Sequence, residues 1–250
     1  MNPNLKHSLA RIFVLSGLLL AIIVYIFEII VAGESSLSLN QEIKLISAFL
    51  LYFGTLFYLQ LKTNSLYKNS WNYLKENFNY VAVAILIFIA GSIVGIALKE
   101  QLSFLDDVLA QLIAQTSGLS TSEITIFIFL NNSLASIFAL AGGVLLGIVP
   151  LLSSVSNGLI LGYVGAKVAQ TENILTLWRL LPHGIFELPA IFISFGLGIK
   201  LGFSIFDKKG RRLKEFKSHI IKSLSVLITI IVPLLVIAAI IEGILIGLFS

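Results

Sequence analysis

A histidine and a glutamate lie four residues apart inside an apolar stretch of this 250-residue chain. The stretch reads Pro-His-Gly-Ile-Phe-Glu-Leu-Pro from Pro182, so that His183 and Glu187 share one face of a helix. Pro182 opens that helix, whereas Pro189 cannot donate a hydrogen bond to the carbonyl of Ile185 and predicts a kink. Ionisable groups are costly inside a membrane and usually serve a function there. The string therefore predicts a polar, kinked place within a bilayer.

Other polar side chains occur at a similar depth in neighbouring apolar stretches. At 1.5 Å per helical residue, two carboxylates and two amides fall about 10 Å from the same end of their predicted helices. We predict that they line a polar cleft open to that end, with His183 one turn shallower and Asn157 deeper. The alternative is that these groups are packing elements, each contributing about 0.6 kcal/mol through hydrogen bonds between helices. The predicted polar site comprises His183, Glu187, Glu242, Asn131, Asn132 and Asn157.

The composition indicates a helical membrane protein. The chain is 57% hydrophobic and 12% charged, and its mean hydropathy is +0.99. Long apolar runs rich in glycine are typical of helices, whereas a membrane barrel would show alternating segments of about ten residues. With no cysteine, the chain has no disulfide, cysteine metal site or thiol nucleophile. The net charge of +4 is not accompanied by a basic and aromatic surface module, so we predict no nucleic-acid partner.

Seven apolar runs are each close to the roughly 20 residues that a helix needs to cross a bilayer. They predict an all-α fold: a polytopic helical membrane bundle of about seven transmembrane helices, with a Pro-kinked sixth helix. The whole chain, 1–250, forms a single transmembrane domain in this interpretation. The predicted spans are 12–32, 43–61, 80–98, 124–149, 153–169, 180–203 and 224–249.

The distribution of basic residues assigns a side of the membrane to each loop. Lysines and arginines precede the first span and follow the second and sixth, and these three segments lie on one side. Because positive residues favour the cytoplasmic side, we predict a multi-pass cell-membrane protein with a cytoplasmic N-terminus and an external C-terminus. Residues 207–222 are predicted to be a basic cytoplasmic loop that also touches anionic lipid.

Residues 101–118 carry apolar side chains at helical spacing, opposed by Asp106 and Asp107. This pattern predicts an external amphipathic helix that lies on the lipid or caps the bundle; the alternative is a helix that docks a partner. Gly118 is its predicted C-cap. Ser120 and Glu123 predict a capping box at the start of the fourth span.

Glycines recur at a spacing of four in five places. Small residues let helix backbones approach closely, which matters where lipid removes the hydrophobic driving force for association. The pattern predicts a tightly packed bundle, and some pairs are able to serve a homo-oligomer. The pairs are Gly91 with Gly95, Gly143 with Gly147, Gly158 with Gly162, Gly198 with Gly202, and Gly243 with Gly247.

The polar motifs together resemble the stage II sporulation protein M family over about residues 124–249, and the Pro-His-Gly-x-Phe-Glu element is the most specific part. The first three spans show no such resemblance. The resemblance implies an integral membrane protein of bacteria or archaea. Sporulation members of the family belong to a membrane complex that remodels peptidoglycan beside separate hydrolases. Its characteristic positions correspond here to His183, Glu187, Asn131, Asn157 and Glu242.

Three classes of function remain open at this point. The resemblance favours a non-enzymatic subunit or scaffold of an envelope-associated complex, with protein partners or a homo-oligomer. The intramembrane carboxylates favour a transporter or channel that binds a proton, a cation or a polar solute. One histidine and two glutamates could also hold zinc in an intramembrane enzyme, but the chain lacks known catalytic motifs. We predict no catalytic residues, no resident metal and no cofactor, and we predict that the lipid bilayer is a partner of the spans.

Overall fold

The computed structural model describes residues 65–171, 181–206 and 212–249. The first two predicted spans, 12–32 and 43–61, lie outside the described residues. Regular structure within the described ranges is entirely helical, which confirms the all-α fold class. Five helices in these ranges are long and apolar enough to cross a membrane, and the protein is a helical membrane bundle.

Eight α-helices follow one another along the described ranges, together with a 3₁₀ turn at Ser204–Phe206 and a π-helical turn at Leu227–Ile231. The third and sixth predicted spans agree with their helices to within two residues at each end. The helices are α1 (Leu66–Glu76), α2 (Phe78–Ala97), α3 (Leu105–Thr116), α4 (Thr121–Gly142), α5 (Ile148–Thr171), α6 (Leu181–Phe203), α7 (Arg212–Val226) and α8 (Val232–Phe249).

The turn between α4 and α5 comes earlier than the hydropathy predicts. The sequence predicts spans at 124–149 and 153–169, whereas α4 ends at Gly142 and α5 begins at Ile148. Leu146 and Gly147 have φ values of 56° and 76°, and these left-handed residues reverse the chain. Because residues 143–149 are all apolar or glycine, hydropathy does not reveal the turn. Pro150 lies in the first turn of α5, where its missing N–H costs no hydrogen bond.

The basic segment before the last span is helical where the structure describes it, which corrects the predicted loop at 207–222. Residues 212–222 form most of α7, and α7 continues through the π-helical turn into α8. The resulting stretch Lys214–Ile246 is 33 residues long. Lysine and arginine are good helix formers, so a charged segment can belong to the same helix as the apolar run that follows it.

Helix α6 is the centre of the described bundle and packs against α2, α4, α5 and α8. Its second half is buried on nearly every side, including Phe195, Leu197 and Ile199. A helix that is enclosed by others is apolar all round, which explains why this part of α6 carries no charge before Lys200. The core therefore fixes α6 firmly, and Glu187 lies near the start of that helix.

Glycines bring α2 and α5 into backbone contact. A Cβ added at Gly158 would overlap the carbonyl of Phe88, and a Cβ added at Gly162 would overlap the carbonyl of Ser92. Gly91 and Gly95 face the backbone of α5 in the same way. These four glycines serve packing within the chain.

A second glycine contact joins the α4–α5 turn to α6. Gly143 faces Gly198, and Gly202 faces Gly147 and the carbonyl carbon of Leu146. The contact lies at the opposite end of α6 from Glu187. It ties the early turn after α4 to the central helix.

Helix α1 docks on α7 at this same end of the bundle. The Tyr73 hydroxyl lies 2.9 Å from His219 Nδ1, and Ser70 Oγ lies 2.7 Å from Ser225 Oγ. Burial raises the pKa of Tyr73 to about 12, so the phenol stays neutral at physiological pH. We call this the basic end, because α1 and α7 present the lysines Lys68, Lys75, Lys214, Lys217 and Lys222 there.

Candidate functional site

A cavity of about 730 Å³ lies between α3, α4, α6 and α8, at the end of the bundle opposite the basic end. Four polar side chains from three helices line it, and the remaining wall is mostly apolar. We call it the carboxylate pocket. Those four are Asn131, Asn132, Glu187 and Glu242, and the hydroxyl residues Thr116 and Ser117 line the pocket beside them.

The two carboxylates of the carboxylate pocket lie close enough to interact. Glu187 is hydrogen-bonded to the amide of Asn132, which links α6 to α4. Glu242 on α8 interacts electrostatically with Glu187. Both carboxylates are partly buried, whereas Asn131 is exposed at the pocket surface. Two carboxylates that share a desolvated space repel each other when both are ionised.

The structure brings four of the six predicted polar residues together. Asn157 is not among them, because it lies on α5, which packs on α2 and does not line the pocket. Its amide donates a 2.8 Å hydrogen bond to the carbonyl of Ser153 in its own helix. The backbone of His183 lies in the first turn of α6, four residues before Glu187; the placement of its side chain lies outside the described residues. Pro189 lies inside the continuous helix α6, two residues after Glu187.

Buried hydroxyl groups lie deeper on the same helices. Ser136 is four residues after Asn132 on α4, and its carbonyl accepts a 2.5 Å hydrogen bond from Ser194 Oγ of α6. The hydroxyl groups of Ser133 and Ser136 are buried, with no hydrogen-bond partner among the described residues. Buried polar groups are normally paired, and a bound water or ion is one way to satisfy them. The α4–α6 interface is therefore polar below the pocket as well as in it.

The outer wall of the carboxylate pocket is made by α3 and the segment that follows it. Leu112, Ile113 and residues 116–119 all line the pocket. Helix α3 occupies the centre of the predicted amphipathic segment, and Leu105 is its buried residue. The predicted capping box is present: the Ser120 backbone N–H donates to the Glu123 carboxylate at 2.7 Å, and it sets where α4 begins. Gly118, with φ of 85°, turns the chain between the two helices.

Asp106 fastens the start of α3 to α5. Tyr163 Oη donates to Asp106 Oδ1 at 2.6 Å, and Lys167 Nζ donates to Asp106 Oδ2 at 2.8 Å. The hydrogen bonds from Lys167 and then Tyr163 hold the pKa of Asp106 below its ordinary value of 3.8. The stabilisation from the ionised Asp106 carboxylate is therefore fully present above the ordinary pKa of 3.8. It is lost only as the pH falls through the lower pKa of the folded state. It keeps α3 beside the mouth of the carboxylate pocket at physiological pH.

The amino-acid sequence does not reveal how α3 and α5 contribute to this site. The amphipathic pattern of α3 predicts a surface helix but does not say which bundle face it covers. Lys167 was the available signal, because a single cation near the end of an apolar helix requires a partner. Its partner, Asp106, is 61 residues away along the chain.

Comparison with known proteins gives a family match. The family model described as stage II sporulation protein M matches residues 84–245. The match begins inside α2, earlier than the resemblance of about 124–249 that the motifs carry, so it also includes α3. All four polar residues of the carboxylate pocket lie within it.

One relative is an uncharacterized protein, MJ0793, from Methanocaldococcus jannaschii. It is 36% identical over 120 residues, an alignment that covers 45% of this chain and 66% of the relative. The chain thus spans just under two thirds of that relative's length. No solved structure matches the chain.

Proposed function

Because this chain belongs to the stage II sporulation protein M family and forms a helical membrane bundle, we propose that it binds a proton or a small cation within the membrane and conducts or transports it. The binding place is the carboxylate pocket. Glu187 and Glu242 are the groups that carry the charge, and Asn132 orients Glu187.

The observation that carries this proposal is the meeting of two carboxylates from separate helices in one cavity. A packing role needs one hydrogen-bonded polar group, and it gives no reason for a second carboxylate or for a cavity of about 730 Å³. Intramembrane carboxylates that face a water-accessible cavity are typical of ion and proton pathways. The hydroxyls of Ser133 and Ser136, which have no hydrogen-bond partner in the described part of the chain, extend this polar character toward the middle of the bundle.

The proposed ligand can be tested by chemical modification without knowing its identity. Dicyclohexylcarbodiimide attacks protonated carboxyl groups in apolar surroundings, and mass spectrometry of peptides locates the adduct. We expect Glu187 or Glu242 to be modified in the purified protein, whereas the exposed Glu100 is not. Modification should slow as the pH rises, and sodium chloride or potassium chloride should slow it further if the site binds that cation.

Choline chloride at equal ionic strength is the control for a general salt effect. Slowing by sodium or potassium beyond that of choline supports a metal cation, and slowing by pH alone supports a proton. An absence of adduct at both glutamates, or a rate that neither pH nor salt changes, contradicts the proposal.

We further propose that the carboxylate pocket opens to the external side of the membrane. The described lysines of α1 and α7 gather at the opposite end, and positive charge favours the cytoplasm. Since the chain has no native cysteine, single cysteines report on this directly. In intact cells, an impermeant maleimide should label a cysteine at the exposed position Asp107 and should leave one at Lys214 unlabelled. Labelling of Lys214→Cys alone would reverse the orientation.

A scaffold role in an envelope-associated complex is the second candidate. The exposed apolar side chains Phe104 and Val108 favour it, because they lie at the start of α3, do not line the carboxylate pocket and are accessible to a partner. In this case α3 would bind a partner, and the carboxylates would stabilise the helices that hold α3 in place.

A further inference from the structure

The basic end of the bundle contains a second cavity, which is separate from the carboxylate pocket. It is an apolar groove of about 190 Å³ between α4, α6 and α7. Its walls include Ile137 and Ala141 of α4, Leu201 of α6, and Ile220 and Leu224 of α7. Leu201 is 14 residues after Glu187 on α6, or about 21 Å at 1.5 Å per residue. The two cavities therefore lie at opposite ends of the same helices.

The groove is open on the side of α4. Ala141 and Val144 are exposed, whereas Leu140, Leu201 and Leu227 are buried and form its floor. Its lining is almost entirely hydrocarbon, with Ser223 as the polar member. In a bilayer such a groove faces the acyl chains of one leaflet. A chain seated in it gains dispersion contacts with the floor that it lacks in fluid lipid.

A positively charged side chain lies beside this groove, on the side nearer the N-terminus of α7. Lys217 is three residues before Ile220 and seven before Leu224, so it lies on the same side of α7 and one turn nearer the end of the helix. Its side chain is exposed. Glu215, the acidic residue of α7, lies about 160° away from Lys217 around the helix axis and does not neutralise this side.

We propose that the groove binds one acyl chain of an anionic phospholipid, whose phosphate pairs with Lys217. The apolar walls accept any acyl chain, and the charge of Lys217 favours binding of a negative headgroup over a zwitterionic one. Basic positions beside grooves between helices recognise lipid headgroups in this way. The site is independent of the carboxylate pocket and does not require the proposed cation binding.

Native mass spectrometry of the full chain in detergent tests the site with dioleoyl phosphatidylglycerol and dioleoyl phosphatidylcholine as probes. We expect the wild-type protein to retain phosphatidylglycerol more strongly. Lys217→Gln should weaken that retention about fivefold and leave phosphatidylcholine unchanged, because one lysine near a lipid surface contributes about 1 kcal/mol. Ala141→Phe, which fills the groove, should weaken retention of both lipids.

Lys68→Gln is the matched control, since it removes an exposed lysine of the same end on α1, away from the groove. It should retain phosphatidylglycerol as the wild type does. Glycerol phosphate should not displace the lipid, because the headgroup alone lacks the acyl chain. Equal retention of the two lipids, an unchanged Lys217→Gln variant, or displacement by glycerol phosphate would each overturn the proposal.

Discussion

Replacing Glu187 by glutamine is expected to reduce cation flux through the protein to the level of empty vesicles. Glutamine keeps the size of the side chain and a hydrogen bond to Asn132, but it carries neither a proton nor a negative charge. The measurement uses proteoliposomes that contain a pH-sensitive or sodium-sensitive dye, with a proton, sodium or potassium gradient imposed in turn. Glu242→Gln leaves one carboxylate in the carboxylate pocket, so we expect a partial loss for that variant.

Two variants serve as controls for this flux measurement. Glu100→Gln removes an exposed carboxylate just after α2, and Asn157→Ala removes an intramembrane amide that does not line the pocket. Both should retain wild-type flux. If wild-type vesicles conduct none of the three cations, the transport proposal fails. A Glu187→Gln variant that still captures the wild-type set of partner proteins would then favour the scaffold.

Replacing Gly162 by alanine is expected to destabilise the fold strongly. The added Cβ would overlap the carbonyl oxygen, carbonyl carbon and Cα of Ser92, and backbone atoms in a packed helix cannot move aside. Overpacking of this kind costs about 1–3 kcal/mol, and a backbone clash belongs at the upper limit. The melting temperature in detergent should therefore fall sharply, as followed by size-exclusion chromatography after heating.

Gly165→Ala is the matched control for this variant. Gly165 lies on the same helix three residues later, and a Cβ there meets nothing within 4 Å. Alanine has a helix propensity about 1 kcal/mol better than glycine, so we expect an unchanged or slightly higher melting temperature. Equal behaviour of the two variants would show that α2 and α5 are not in the close contact described here.

Most of the helices could be predicted from the amino-acid sequence because their signals are local. The apolar run from Tyr80 to Leu98 and the capping residues Ser120 and Glu123 each specify a helix or its start within a few residues. The depth of Glu187 and Glu242 could be estimated in the same way, since each helical residue advances the chain by a fixed rise. The similar depth of the two carboxylates follows from the number of helical residues between each of them and the end of its helix.

Two local features were hidden from the hydropathy, for opposite reasons. The turn at residues 143–147 is as apolar as the helices it joins, and the left-handed φ of Leu146 has no compositional signal. Helix α7 is as polar as a loop, yet it is helical, because lysine and arginine are good helix formers. Hydropathy measures transfer from water, and it does not measure backbone conformation.

The sequence alone identifies the polar residues, the apolar runs and the glycine spacing, because each of these features involves residues close together in the chain. The sequence does not identify which helices pack against each other. In the structure, α5 packs against α2, which leaves Asn157 outside the carboxylate pocket, and Asp106 holds α3 beside the mouth of that pocket. Such pairings depend on close contact between backbones distant in sequence, as between Gly162 and Ser92. Dispersion and excluded volume act only at contact, so the folded bundle alone determines which predicted residues share a site.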